Sequence, residues 1–313
     1  MCKSNAPRAT NSWLKFVAVL MVIAIAMVGT WIAARATAPS AGESTAASAP
    51  GGVQGTRGDQ EAAAATSDSL SKSVLERLRD AANEPDEVVI DQARSQLTYI
   101  RLSDGMHLGT SNEKFARPAL SLSKLYIADY VLDEGNNEEK YEALRMISTS
   151  DDDVAEGLFA EYPESIDEVA DKYGLYATES GNYWGNSLTS TYDVVKFVAA
   201  LKDEDSTHPI LVAMSQPDEI AADGYEQDFG TAVMSNVIGT KWGWSNNRQV
   251  HSSVSFGENF IVAASVNGSA RDLTRLVRNQ LSGTKLKEAT TWFLDSREAA
   301  ETSAVPTETV ITD

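Results

Sequence analysis

Cysteine is almost absent from this sequence. Its single thiol, Cys2, excludes a disulfide framework and a cysteine-based metal site within one chain. Histidine is nearly as scarce. His107, His208 and His251 are far apart and lack metal-motif spacing, so each reads as a structural or surface residue rather than a ligand or base. Positive charge is the third shortage. Only 26 Lys and Arg stand against 45 Asp and Glu. Phosphate binding needs clustered positive charge, which argues against nucleic acid as a partner. Repeats are missing too, apart from the tetrapeptide Ser-Leu-Ser-Lys at 69–72 and again at 121–124. No cofactor and no metal is implied.

A long apolar run is present. Residues 16–34 carry no charge, and crossing a bilayer core takes roughly 20 apolar residues. Trp13 and Trp31 lie near its ends, as interface aromatics do. Lys3, Arg8 and Lys15 precede it and Arg35 follows. We read 16–35 as a transmembrane anchor, 1–15 as cytoplasmic, and everything after it as extracytoplasmic. Secretion after signal cleavage is the alternative, because Ala36-Thr37-Ala38 resembles a small-residue cleavage site. The length of the run, and Pro39 directly after that site, favour the uncleaved anchor. Residues 36–68 are rich in Ala, Gly, Ser and Thr. They cannot bury a core and read as a flexible tether.

From Ser69 to about 285 the pattern is that of one globular domain. Residues 69–82 predict a helix; 87–89 and 97–101 predict strands, and His107-Leu108 a short third one. Residues 117–133 predict a single buried helix, apolar on all sides, with Pro118 in its first turn. Helices follow at 138–147, 154–162, 166–173 and 191–202, with Ser150 and the acids after it as a helix start. A Gly/Asn loop at 181–187 carries Tyr183 and Trp184. Residues 236–244, 250–256 and 259–267 predict three successive antiparallel strands, and 269–281 a helix. This order makes an α+β fold: an antiparallel sheet built from both ends of the domain, flanked by helices, around a helical insert at about 117–205. Residues 286–313 read as an acidic tail, disordered from Ala299.

Ser121 and Lys124 are three apart in the greasy helix, so they project from one face. A lysine is almost never fully buried without a partner or a job. A serine hydroxyl is a poor nucleophile until a base takes its proton. A lysine can be that base if burial lowers its pKa toward neutrality. Spacing alone says little, since Ser12/Lys15, Ser69/Lys72, Ser111/Lys114 and Ser282/Lys285 repeat it. An accident of a core helix is the competing reading.

Position is more informative. Ser121-Leu122-Ser123-Lys124, then Ser150-Asp151-Asp152, then Lys241-Trp242-Gly243 on a late strand form an ordered series. It resembles the marked elements of the penicillin-recognising serine enzymes, the class A β-lactamases and D,D-peptidases: Ser-x-x-Lys, Ser-Asp-Asn and Lys-Thr-Gly. The resemblance covers roughly 85–285 and implies a β-lactamase/transpeptidase-like fold. It further implies a serine hydrolase acting on cell-wall peptide or a small acyl substrate. Ser121 would form the acyl-enzyme, Lys124 would be its base, and Ser150 would relay a proton to the leaving nitrogen. Lys241 would attract a substrate carboxylate, and Gly243 would let the substrate lie close to the strand. The amides of Ser121 and Trp244 would hold the oxyanion.

The departures are as specific as the matches. Asp152 stands where the family has an asparagine that donates to the substrate, and an ionised carboxylate only accepts. Beside Lys124 it would also hold that lysine protonated. Trp242 replaces a hydroxyl that shares the substrate carboxylate with the lysine. Glu179 is the nearest candidate for a deacylating glutamate, one residue out of step with Asn182. Two rival readings therefore stay open: a catalytically degenerate domain that binds envelope material or a protein partner, and a purely structural domain.

Overall fold

The computed structural model describes residues 91–303. The anchor at 16–35, the tether at 36–68, the helix at 69–82 and the strand at 87–89 lie outside the described residues. No helix among the described residues is long and apolar enough to cross a membrane.

Five strands form one antiparallel sheet: β1 (Ser95–Arg101), β2 (His107–Gly109), β5 (Val237–Trp244), β6 (Val250–Gly257) and β7 (Phe260–Asn267). Their spatial order is β2-β1-β7-β6-β5, so the first and last segments of the domain are neighbours. The strands alternate cleanly. Ile261 and Ala263 face one core together with Ile100 and Val254. Val262 and Ala264 face a second core together with Leu97, Tyr99 and Trp242. Successive side chains of a strand point to opposite faces, and here both faces are covered.

The first core is filled by helices. These are α1 (Ser123–Glu134), α2 (Asn137–Thr149), α3 (Asp152–Glu161), α4 (Ser165–Tyr173), α5 (Thr191–Glu204) and the short α6 (Pro209–Met214). Gly174 ends α4 in the left-handed conformation, φ 62°, which a glycine adopts without penalty. The second core is covered by α7 (Ala270–Gln280) and by α8 (Gly283–Ser303). Ser269 opens α7 through a reciprocal capping box with Asp272.

Three expectations are corrected. The helix expected over 117–133 begins later. Arg117–Pro118 is instead a strand, β3, paired with β4 (Leu188–Thr189). The cause is tertiary: the buried Arg117 guanidinium donates to Asp91 (2.7 Å), Ala93 O (3.0 Å) and Asn267 (2.8 Å). Ser150 does not start a helix either. It ends α2 in the left-handed conformation, and Asp151 caps α3 by accepting from the amides of Asp153 and Val154. Finally, the stretch read as an acidic tail is helical as far as Ser303. Leu286, Ala289 and Phe293 pack at the second core, a helical stripe that the surrounding charges disguise. Thr290 Oγ1 accepts from Arg101 at 2.8 Å and ties this helix to β1.

The three histidines have local roles. His107 contacts Glu113 at 3.0 Å, His208 caps α6, and His251 is buried between Tyr225 and the Gly268 carbonyl.

Candidate active site

Ser121 lies in a 3-10 turn, Leu120–Leu122, that leads into α1. Leu120 has φ 55°, a left-handed conformation costing an ordinary residue roughly 1–2 kcal/mol. The turn is pressed against β5 at Gly243. A Cβ there would lie 2.7 Å from Ser252 Oγ, 2.9 Å from Leu120 Cβ and 3.1 Å from the Ser121 amide nitrogen. Only glycine lets the strand and the turn approach this closely. β5 is an edge strand. Ser245 N–H donates across to Val250 O at 2.9 Å. Alternation along an antiparallel pair then aims the Trp244 N–H at the open edge, away from β6. Two amide donors, those of Ser121 and Trp244, therefore flank the Gly243 contact.

Behind the turn are two fully buried lysines, Lys124 and Lys241. Ser150 joins them. Its carbonyl oxygen accepts from Lys124 Nζ at 2.7 Å, and its hydroxyl lies 2.7 Å from Lys241 Nζ. The left-handed backbone of Ser150, φ 55° and ψ 33°, allows one residue to present both oxygens to the same space. Lys124 has two further contacts. Asp152 Oδ1 accepts from it at 2.5 Å, and its Nζ lies 4.5 Å from the centre of the Trp184 ring. Lys241 has one more, a 3.4 Å approach to the Trp242 carbonyl.

The electrostatics follow from burial. Desolvation pulls the Lys124 pKa below the ordinary lysine value, against the opposing pull of Asp152 and, farther off, of Asp151 and Asp223. Lys241 is held well below the ordinary value, first by burial and then by repulsion from Lys124. Asp152 is the carboxylate bonded to Lys124, and its side chain is 51% exposed.

Of the residues expected from sequence, Lys124, Ser150, Asp152 and Lys241 are brought into one hydrogen-bonded group, and Gly243 against the Ser121 turn. The Ser121 hydroxyl takes part in none of the hydrogen bonds found among the described residues. Trp242 was expected to stand in for a site hydroxyl. It faces the second core instead, where its indole N–H donates to Phe229 O at 2.8 Å. The Trp244 ring also turns from the lysines: it donates to Asp223 at 2.9 Å and packs on Tyr225. Glu179 is exposed and pairs with Leu188 through its backbone.

Two features escaped the sequence reading. Trp184 belongs to the Gly/Asn loop at 181–187, and periodicity could not aim its ring at Lys124. Asp223 accepts from both Trp244 and Arg248, and Arg248 stacks on Tyr225 at 4.0 Å. No motif announces that group. Among the described residues no cluster of His, Cys, Asp and Glu could hold a metal ion.

No family model matches the chain, and no curated protein matches it. Solved structures do. The fold is similar to that of a β-lactamase from Sphaerobacter thermophilus, at 15% identity and TM-score 0.48 over 70% of this chain and 98% of that one. It is similar to penicillin-binding protein D2 from Listeria monocytogenes, at 18% identity and TM-score 0.46 over 66% and 99%. It is also similar to a D-alanyl-D-alanine carboxypeptidase from Mycobacterium tuberculosis, at 15% identity and TM-score 0.42 over 59% and 87%.

Proposed function

We propose that this chain is an acyl-serine hydrolase or peptidase, held outside the membrane by the segment 16–35 and acting on cell-wall peptide or a related acyl compound. One observation carries the reading: Ser150 gives one oxygen to each of two buried lysines, beside a serine turn wedged against an edge strand at a glycine. Ordered motifs in the sequence point to the same residues.

In this reading Ser121 Oγ attacks the substrate carbonyl carbon and forms a C–O bond. The amides of Ser121 and Trp244 stabilise the oxyanion. The hydroxyl proton must pass to an amine; the motif resemblance nominates Lys124, and Lys241 is the other buried amine present. Collapse breaks the bond to the leaving nitrogen, which takes a proton through Ser150. Water then cleaves the acyl ester.

The test is covalent labelling of the full chain with a fluorescent penicillin or a fluorophosphonate. Wild type should label and Ser121→Ala should not. Equal labelling of the two overturns the reading. The Asp152 carboxylate on Lys124 supports a second reading, a degenerate site that binds envelope material or a protein partner. It predicts that Ser121→Ala leaves cellular function intact.

A further inference from the structure

Ser150 divides two lysines that have very different partners, and the division bears on where the nucleophile's proton goes. This step rests on the acyl-serine reading above. Lys124 is surrounded as an ammonium would be. It donates to a carbonyl and to a carboxylate, and its third side faces an indole ring. Each of these favours the charged form, and none is the Ser121 hydroxyl. Lys241 is fully buried, and among the described residues no carboxylate is in contact with it. Its close partner is the Ser150 hydroxyl at 2.7 Å, a contact that a neutral amine makes equally well by accepting the hydroxyl proton.

We propose that the Ser121 proton leaves through Ser150 to Lys241, and that Lys124 remains a fixed ammonium throughout. The step balances. Ser121 Oγ bonds to the acyl carbon as its proton passes to Ser150 Oγ. The proton already on Ser150 moves to Lys241, which becomes an ammonium. When the carbon–nitrogen bond breaks, Ser150 gives a proton to the leaving nitrogen and Lys241 returns its extra proton to Ser150. Lys241 ends neutral, and Lys124 supplies a constant positive charge that holds the Ser150 carbonyl and the Asp152 carboxylate in place.

Burial supports this division, since Lys241 is pushed farther below the ordinary lysine range than Lys124. The charged groups acting on Lys124 are Asp152, Asp151 and Asp223. Those acting on Lys241 are Lys124, Asp152 and Asp223. Asp152 therefore touches the first lysine and only influences the second.

The experiment pairs a spectrum with a rate. The full chain is labelled with carbon-13 at the lysine ε position and titrated, with Lys124→Arg and Lys241→Arg used to assign the two signals. The rate of labelling by a fluorophosphonate is measured over the same pH range. The expected result is a Lys241 signal that loses its charge at lower pH than Lys124, with the acid limb of the labelling rate at the Lys241 midpoint. Lys241→Arg, which cannot be neutral, should lose at least about 100-fold of the rate, the usual scale of general-base catalysis. A rate limb at the Lys124 midpoint, or a Lys124 that discharges first, overturns the proposal and leaves the acyl-serine reading standing. Absence of Ser121-dependent labelling overturns both.

Discussion

Lys124 Nζ and Asp152 Oδ1 are 2.5 Å apart, yet the lysine is fully buried and the aspartate is half exposed. The cation of this pair has no access to water, and the anion does. Losing either partner has unequal effects. Removing Asp152 leaves a desolvated charge, whereas removing Lys124 leaves a carboxylate that water can serve.

Asp152→Asn is therefore expected to destabilise the fold by about 1–2 kcal/mol, less than a fully buried pair because water screens the exposed side. The Lys124 pKa should fall further, since the group that pulls it up is gone. Urea denaturation and the lysine carbon-13 titration measure the two effects. An unchanged Lys124 midpoint would contradict the contact.

Burial holds both lysines below the ordinary lysine value of 10.5 in the folded chain. From those lowered values up to about 10.5 the unfolded chain binds more protons, so the unfolding free energy rises with pH. Lys241→Met keeps the volume and deletes one titration. It should be more stable near neutrality by on the order of 1–2 kcal/mol and show a flatter rise toward pH 10. Urea midpoints at several pH values decide this.

Asp193 has the opposite linkage. It is buried, and desolvation lifts its carboxyl to about 6 against hydrogen bonds from Thr178, the Ala177 amide and Ser190. Between the ordinary value of 3.8 and 6 the folded chain binds the extra proton, so stability falls as pH rises through that window. The drop should be roughly 2 kcal/mol. Asp193→Asn should remove it, as read by denaturation at pH 4 and pH 6.5.

Gly243→Ala inserts a Cβ against Ser252 Oγ, Leu120 Cβ and the Ser121 amide. Overpacking of this kind typically costs about 1–3 kcal/mol, and here it lands on the nucleophile's turn. Covalent labelling should fall by more than tenfold while circular dichroism stays that of wild type. Normal labelling would mean the strand and turn can separate freely.

Trp184→Leu retains bulk over Lys124 and removes the ring face. A buried cation–π contact contributes about 0.5–2 kcal/mol, so the Lys124 midpoint should drop by roughly 1 pH unit. Trp184→Phe should restore most of it. If leucine and phenylalanine give the same midpoint, the ring is only filling space.

The sheet and most helices were legible because their residues repeat with the period of the element. The unbroken apolar run Ile261-Val262-Ala263-Ala264, for example, gives a strand buried on both faces. The start of α1 was not legible. A helical pattern runs through Arg117 and Pro118, but the bonds that make them a strand come from Asp91, Ala93 and Asn267, far away in sequence. Within the site, the chain order of Ser121, Ser150 and Lys241 was enough to nominate them. The orientation of Trp242 follows from its strand register, one residue out of phase with Lys241 and Gly243, and that phase was available in the sequence. The ring of Trp184 over Lys124 depends on how a loop closes, which no local rule encodes.

Ser150 stands in a backbone conformation that an asparagine or a glycine would occupy more comfortably. Exchanging it for asparagine should relax the turn between α2 and α3 by a fraction of the roughly 1–2 kcal/mol that left-handed geometry costs. The same exchange deletes the hydroxyl beside Lys241 and spares the carbonyl beside Lys124. Thermal robustness and proton transport thus make opposite demands on a single position, and a laboratory selection for heat resistance alone would be expected to disable the relay there first.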